Sequence, residues 1–195
     1  MRKSRILIVW NTNDRSSGFD SLCDQNLILE HIDFQNLTLD KLNEEYSGII
    51  LSGTDASPIN NIEVYQLQQS LFNQIDIPIL AICGAFQVMA MTFGAQISDC
   101  DSPVYGRTSV VHNQTVPLLA KLPTEFTVFC KHRWAIRQIS APLEAFAWSS
   151  DYSYVYGIRL KNSPHYGLQF HPERRNDGTL VLRNFVNQIL KFDES

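Results

Sequence analysis

The stretch PILAICGAFQVMA (Pro78–Ala90) contains a short apolar run that passes without a break into a helical pattern. The run Pro78–Cys83 has the continuous apolar character of a strand buried on both faces, and a strand tolerates a proline at its start. The following run, Gly84–Phe93, predicts a helix that ends at Gly94, a residue suited to a helix C-cap. Cys83 therefore stands at the turn between a buried strand and a helix.

Other apolar runs extend this alternation of strands and helices along the chain. Strands are predicted over Arg5–Trp10 and Gly48–Ser52, and helices over Ile62–Ile75 and Gly178–Lys191. Between Val104 and Phe170 the pattern changes to short β segments separated by Pro, Asn, Asp and Ser. We therefore expect one α/β domain over residues 1–195, with a mainly parallel central sheet, helices on both faces and a small antiparallel β insertion.

Composition excludes several classes of protein. Of 195 residues, 44% are hydrophobic, enough to bury a substantial core, and the net charge of −4 argues against a nucleic-acid-binding surface. The first apolar run stops at Asn11, too short for a signal peptide, and no stretch reaches the roughly 18 apolar residues of a membrane helix. We therefore place the chain in the cytoplasm, and expect neither a nucleic acid nor a membrane as its partner.

Four cysteines are scattered through the sequence without a Cys-x-x-Cys pair; they are Cys23, Cys83, Cys100 and Cys130. A reducing compartment disfavours disulfides, and a structural zinc site requires closely spaced pairs of ligands. The nearest approach to such a pair is Cys130 with His132, on one face of a predicted strand and without a second pair. No metal site is expected.

Cys83 has the surroundings of a nucleophile elbow, a sharp turn that holds a reactive side chain above the edge of a sheet. The residues two before and two after it, Ala81 and Ala85, are small, which lets the helix lie close to the strand. A helix start favours the thiolate, and the N–H of Gly84 can donate to an oxyanion. A second interpretation stays open here, because free cysteines are often simply packed in a core.

Two further segments carry candidate partners for Cys83. The segment YGLQFHPE (Tyr166–Glu173) ends in a histidine, which can take a proton from a thiol near neutral pH, and a carboxylate that can orient its ring. Taken alone, this segment is also compatible with a polar loop. In GIILSGTDASP, Gly53 directly follows a buried strand, where its N–H can supply a second oxyanion donor.

Together these segments resemble the class I glutamine amidotransferase family. The resemblance rests on LSGT (Leu51–Thr54), AICGAFQ (Ala81–Gln87) and YGLQFHPE, which occur in the family's order. Other stretches, such as YGR (Tyr105–Arg107) and LPTEFTVFCKH (Leu122–His132), are similar to the glutaminase portion of GMP synthase. The likeness therefore covers nearly the whole chain.

The resemblance implies a flavodoxin-like three-layer fold and hydrolysis of the side-chain amide of glutamine. Cys83 would attack the amide carbon, His171 would carry the proton, and Glu173 would orient His171. Water would then resolve a γ-glutamyl thioester. No cofactor is implied, and the ammonia would pass to an ATP-using synthetase encoded separately.

The resemblance also assigns the surrounding positions. The N–H groups of Gly53 and Gly84 would form the oxyanion hole, and Gln87 and His132 are the candidate substrate-binding residues. Thr54 departs from the family pattern by replacing a glycine, and a β-branched residue resists a positive φ, so we expect a strained turn and a weak isolated glutaminase. A hydrolase of γ-glutamyl compounds without a synthetase and a catalytically silent regulatory protein remain alternatives.

Overall fold

The structure is a computed structural model that describes residues 3–22, 27–40, 42–54, 65–113 and 116–193, without the side chains of residues 190–193. Its strands in these ranges are β1 Ser4–Asn11, β2 Leu27–Asp33, β3 Gly48–Thr54, β4 Ile79–Ile82, β5 Ile97–His112, β6 Glu125–Ile136, β7 Leu143–Ser149, β8 Val155–Leu160 and β9 His165–Leu168. Its α-helices are α1 Leu42–Glu45, α2 Gln66–Gln74, α3 Gly84–Thr92 and α4 Gly178–Asp193. Short 3-10 helices cover Ser17–Leu22, Phe34–Asn36, Pro117–Leu119 and Pro172–Arg174.

All of these strands belong to one sheet in the order β2-β1-β3-β4-β9-β8-β6-β5-β7. The first five in this order pair in parallel and form what we call the parallel half. Its order corresponds to the 2-1-3-4-5 order of flavodoxin-like sheets. In such a sheet the loops at the carboxyl ends of the strands meet at one edge, so the segments after β3, β4 and β9 become neighbours.

Helices cover both faces of the parallel half, which explains the continuous apolar strands. In β1, Ile6 and Ile8 are buried on the face covered by α4, whereas Leu7 and Val9 are buried on the face covered by α2 and α3. A strand buried on both faces cannot alternate apolar and polar residues. The predicted α/β class with helices on both faces is confirmed.

The other four strands form a larger antiparallel structure than the sequence suggested. Strands β5, β6, β8 and β7 close into a ring through the pairs β5–β6, β6–β8, β8–β7 and β7–β5, which we call the antiparallel ring. Strand β8 also pairs antiparallel with β9 and so joins the ring to the parallel half. The antiparallel part is therefore larger than the expected small insertion, because β5 alone has 16 residues. Closing these strands into a ring also leaves few free strand edges.

Most predicted elements agree with the structure to within a few residues, but β5 begins at Ile97, before the predicted β region, and two elements were omitted. The strand predicted over Pro78–Cys83 is β4, and the C-terminal helix is α4. The helix predicted over Ile62–Ile75 can be compared only from Tyr65 onward, because residues 62–64 lie outside the described ranges. Strand β2 and helix α1 were not predicted. No helix in the described part of the chain combines the length and apolar character needed to cross a membrane.

Candidate active site

The junction of β4 and α3 holds Cys83 in an unusual backbone conformation. Its φ of 51° and ψ of −105° are costly for a residue with a side chain. Hydrogen bonds on both sides maintain this conformation, from the N–H of Cys83 to the carbonyl of Leu168 at 2.7 Å and from the N–H of Gln87 to the carbonyl of Cys83 at 3.0 Å. Ala81 and Ala85 are fully buried beside the turn. This is the strand-to-helix elbow that the sequence predicts.

Two neighbouring strands bring the other predicted groups to the same edge. Strand β4 lies between β3 and β9, so the end of β3 with Gly53 and the segment after β9 with His171 flank Cys83. A β-carbon placed on Gly53 would lie 3.0 Å from Cε1 of His171 and 3.4 Å from Cβ of Cys83. The backbone of Gly53 therefore lies against both residues, and a side chain there would displace the histidine.

His171 joins Cys83 to Glu173. Its Nδ1 lies 2.7 Å from Oε1 of Glu173, whose side chain is buried, and its backbone N–H donates to the carbonyl of Phe129 at 2.8 Å. The ring also lies close enough to Cys83 for the sulfur to affect its pKa. Because Glu173 occupies Nδ1, the nitrogen left for the sulfur is Nε2.

The pKa of His171 reflects a balance between burial and charge. Burial has the largest effect and lowers this pKa, but the nearby sulfur of Cys83 and the hydrogen-bonded carboxylate of Glu173 together outweigh burial and raise the pKa to about 10. At neutral pH the arrangement therefore favours the imidazolium form of His171. A thiolate is the nucleophilic form of cysteine, so the geometry suits nucleophilic chemistry.

Thr54 packs against the start of α3 instead of straining a turn. A β-carbon placed on Gly84 would lie 1.8 Å from Cγ2 of Thr54, so the threonine methyl fills the space that a side chain at position 84 would need. The hydroxyl of Thr54 lies 2.7 Å from that of Tyr65. Thr54 ends β3 and is not among the described residues with positive φ, so the expected strain at this position was wrong. The strained residue of the site is Cys83.

Gln87, a candidate substrate-binding residue, lines the pocket but is 2% exposed. Its Nε2 donates to the carbonyl of Trp134 at 2.8 Å and to Oε1 of Gln169 at 3.0 Å. The amide of Gln169 in turn reaches Sγ of Cys83, at 3.7 Å. Gln169 was not singled out from the sequence, although it lies inside the YGLQFHPE motif, two residues before His171.

His132, the other candidate, also lines the pocket and is 8% exposed. Its Nδ1 lies 3.1 Å from the carbonyl of Trp134 and its Nε2 lies 3.3 Å from the hydroxyl of Tyr156, with Sγ of Cys100 at 3.6 Å. Burial lowers the pKa of His132 to about 4, so the ring is neutral at pH 7. Both ring nitrogens contact protein groups, which places His132 as a support of the pocket wall. In the described ranges no group of three or more His, Cys, Asp or Glu side chains could hold a metal ion.

A cavity of about 400 Å³ opens above Cys83, between the parallel half and the antiparallel ring. Its rim carries Asp14, Lys131, Arg133 and Arg174. Asp14 and Arg174 are joined by an ion pair of 2.6 Å. A pocket of this volume fits a small molecule, and a rim with both signs of charge suits a zwitterion such as a free amino acid.

Comparison with known proteins identifies relatives along most of the chain. A family model described as "Glutamine amidotransferase class-I" matches residues 20–189. One subunit of the glutamine-hydrolyzing GMP synthase of Methanococcus maripaludis is 32% identical over 149 residues, which are 75% of this chain and 75% of that protein. The GMP synthase of Campylobacter lari is 30% identical over 202 residues, covering 99% of this chain and 38% of that protein. The aminodeoxychorismate synthase of Streptomyces griseus is 31% identical, with 73% of this chain and 20% of that protein covered.

Two solved structures share the fold. A protein from Thermoplasma acidophilum superposes with a TM-score of 0.84 at 22% identity, covering 100% of this chain and 98% of that chain. A protein from Thermotoga maritima superposes with a TM-score of 0.73 at 19% identity, covering 100% and 85%. The chain spans less than two fifths of the length of the Campylobacter and Streptomyces relatives, so it corresponds to one part of those larger proteins.

Proposed function

Because this chain belongs to the class I glutamine amidotransferase family, we propose that it hydrolyses the side-chain amide of glutamine through Cys83, His171 and Glu173. The observation that carries the proposal is the convergence of Cys83 and His171 beside Gly53, with the His171 ring held by the buried Glu173 carboxylate at 2.7 Å, in the lining of a cavity of about 400 Å³. A cysteine, a base and an orienting carboxylate in this order form the arrangement required for acyl transfer.

The proposed reaction starts from a Cys83 thiolate beside a protonated His171. The Cys83 thiolate attacks the amide carbon, and the carbonyl oxygen becomes an oxyanion that accepts hydrogen bonds from the N–H groups of Gly53 and Gly84. His171, as an imidazolium, gives its proton to the departing nitrogen, so ammonia leaves and a γ-glutamyl thioester remains. Neutral His171 then takes a proton from water, the resulting hydroxide attacks the thioester, and glutamate is released with the thiolate restored.

Glu173 and Gln87 have supporting roles in this proposal. Glu173 holds His171 so that Nε2 faces the sulfur, and its negative charge stabilises the imidazolium. Gln87 forms part of the cavity wall, and the charged groups at the rim are placed to meet the α-amino and α-carboxylate groups of the substrate. His132 lines the cavity, and its Nδ1 lies against the carbonyl of Trp134, so it would support the cavity wall.

We further propose that the ammonia is delivered to an ATP-using synthetase, as in a GMP-synthase-like assembly. Support comes from the relatives: one is named as a single subunit of GMP synthase, and the larger relatives match this chain over 20% to 38% of their length. The rest of those larger chains is the part to which an ammonia-accepting activity would belong. An affinity-tagged chain should therefore retain such a synthetase from its native lysate, and recovery of no synthetase at any ionic strength would contradict the proposed delivery.

The substrate is tested by measuring ammonia and glutamate released by the purified chain from glutamine and from a panel of γ-glutamyl amides. We expect glutamine to be preferred and turnover to require Cys83. Preference for larger γ-glutamyl compounds would favour a γ-glutamyl hydrolase instead. Absence of turnover with every substrate, both alone and with a co-purifying synthetase, would favour a silent regulatory role. The matched control is Cys130→Ser, altered at a buried cysteine of the antiparallel ring.

A further inference from the structure

We propose that two buried amides, Gln87 and Gln169, deliver a hydrogen-bond donor to the sulfur of Cys83, with Gln169 in direct contact and Gln87 fixing its orientation. This inference rests on the proposed function, in which Cys83 is the nucleophile. Gln169 would act as a catalytic residue because it touches the reacting sulfur. Gln87 would act as a positioning residue through Gln169, in addition to lining the cavity.

Both side chains are enclosed by protein. Gln169 is 0% exposed and directly follows β9, where its backbone N–H donates to the carbonyl of Tyr156 at 2.9 Å. Gln87 lies in the first turn of α3 and is 2% exposed. Buried amides are stable only where their donors and acceptors are paired, so the contacts of this pair determine how each amide is oriented.

A backbone carbonyl fixes both orientations. The oxygen of Trp134 can only accept a hydrogen bond, so the end of the Gln87 amide that lies 2.8 Å from it must be the NH2 group. The same NH2 group lies 3.0 Å from the Gln169 amide and must meet its oxygen. The NH2 group of Gln169 is then the end that faces Cys83, 3.7 Å from Sγ. A reversed Gln169 would set two NH2 groups against each other.

The sulfur therefore has neighbours that favour different protonation states. The carbonyl of Lys131 lies 3.7 Å from Sγ and can accept a hydrogen bond from the thiol, but it offers nothing to a thiolate. The amide of Gln169 donates to the sulfur, and hydrogen bonds to a charged group are stronger than those between neutral groups. Gln169 therefore shifts the equilibrium toward the thiolate and reinforces the effect of His171.

A purely structural role for the two glutamines leads to a different expectation. If they only fill the core and donate a hydrogen bond to the carbonyl of Trp134, their replacement lowers stability and leaves the titration of Cys83 unchanged. If Gln169 stabilises the thiolate, its replacement changes the pH at which Cys83 becomes reactive. The pH dependence of cysteine alkylation distinguishes the two roles, because it reports the fraction of thiolate.

The test measures the rate of Cys83 alkylation by iodoacetamide against pH, mapped by peptide mass spectrometry, with unfolding midpoints recorded in parallel. Gln169→Met has a similar length but no N–H donor, and we expect it to reduce the thiolate fraction at neutral pH by on the order of tenfold. Gln169→Glu keeps the shape of the side chain and can still accept the hydrogen bond from Gln87. Its negative carboxylate would face the sulfur, so we expect a larger decrease in the thiolate fraction than in Gln169→Met. Gln87→Met should give a smaller shift, since it frees the Gln169 amide to rotate.

The matched control is Gln188→Met, a glutamine on α4 whose amide donates to the helix carbonyl of Asn184 at 3.4 Å, and we expect it to leave the alkylation profile unchanged. An unchanged profile in both Gln169 variants would overturn the inference. If Gln169→Met does not fold, the near-isosteric Gln169→Glu decides. Because alkylation requires no glutamine, a shifted profile in a protein that does not hydrolyse glutamine would uphold this inference and reject the proposed substrate.

Discussion

The parallel half and the antiparallel ring contribute different kinds of chemical group to the same cavity. Side chains with reactive chemistry come from the parallel half, with Cys83 after β4 and His171 after β9. Main-chain carbonyls come from β6 of the ring: that of Phe129 holds the backbone of His171, that of Lys131 faces the sulfur, and that of Trp134 orients Gln87. For the chemical step, side-chain identity is therefore critical in the parallel half, whereas the ring contributes through the position of its backbone.

This difference between the two regions predicts losses of turnover rate that decrease from the parallel half to the ring. Substitutions in the parallel half should affect the chemical step directly, with large losses of rate and small changes in stability. Substitutions in the ring should act through the placement of its carbonyls and should affect stability more than rate. A variant of the ring that abolishes turnover without unfolding the chain, or a variant of the elbow that leaves turnover intact, would break the comparison.

The largest effect is expected for Cys83→Ser, which should lower glutamine turnover by at least about 10⁴-fold with an unchanged unfolding midpoint. A serine hydroxyl is far less acidic than a thiol and is a weak nucleophile until it loses its proton. Steady-state ammonia release measures the turnover, and thermal unfolding measures the midpoint. Cys100→Ser, at a buried cysteine of the ring, is the control and should retain turnover near that of the wild type. Comparable activity in Cys83→Ser and the wild type would refute the assignment.

The second prediction concerns the titration of His171. In the wild type the ring should stay protonated up to a pH of about 10. In Cys83→Ala the thiolate is lost, burial dominates, and the pKa of His171 should fall. Nitrogen-15 NMR of the histidine rings follows both titrations. Identical titration of His171 in the two proteins would show that the sulfur and the ring do not interact.

The raised pKa of His171 also makes the stability of the folded protein depend on pH. A pKa raised in the folded state stabilises the protonated native protein, so the contribution of His171 is complete below its ordinary pKa of 6.5 and is lost as the pH rises from 6.5 to about 10. Cys83→Ala should therefore lose stability relative to the wild type most clearly at the lower end of this window. Urea unfolding at the two ends of the window measures the difference.

An intermediate effect is expected for Gly84→Ala. The added methyl would overlap Cγ2 of Thr54, and the displacement of an oxyanion donor costs about 100- to 1000-fold in rate. Thr54→Ser removes Cγ2 but keeps the hydroxyl that meets Tyr65, so the Thr54→Ser/Gly84→Ala double variant should recover part of the lost activity. Kinetics of the single and double variants form a double-mutant cycle. Equal rates in Gly84→Ala and the double variant would rule out this contact as the cause.

The smallest effect on rate is expected in the ring. His132→Ala removes the contacts with Trp134 and Tyr156 and should lower the free energy of unfolding by about 1–3 kcal/mol, with a rate loss far below that of Gly84→Ala. Chemical denaturation measures the free energy of unfolding, and ammonia release measures the turnover rate. Arg137→Ala, which removes an exposed ion pair with Asp101 of the same ring, is the control, with less than about 1 kcal/mol expected. A rate loss in His132→Ala as large as that of Gly84→Ala would assign His132 a direct role.

The parallel half was largely predictable because its signals are local. Each of Gly53, Cys83 and His171 ends an apolar run, and the carboxyl ends of parallel strands share one edge of a sheet. Strand β2 escaped prediction because it is an edge strand, mostly half-exposed, and lacks the continuous apolar run of a central strand. The fold class could thus be predicted, but not every strand.

The contribution of the ring could not be read from the sequence for two physical reasons. Its closure depends on pairings between distant strands, such as β5 with β7, for which no local pattern exists. The carbonyls that it places around Cys83 and Gln87, those of Lys131 and Trp134, can come from any residue, so their positions leave no signal in side-chain identity. The packing of Thr54 on Gly84 was missed for a related reason, since it joins two segments separated along the chain.

The central claim, that Cys83 is an activated nucleophile in a glutamine-binding cavity, is tested most directly by labelling with a glutamine analogue that carries a diazo-ketone. Burial raises the pKa of Cys100 to about 11 and that of Cys130 to about 12, so both should remain unreactive thiols at neutral pH. Peptide mapping should find one label per chain, on Cys83, and free glutamine should protect against it. Labelling spread evenly over the cysteines, including Cys23 outside the described residues, or labelling that glutamine does not slow, would contradict the account.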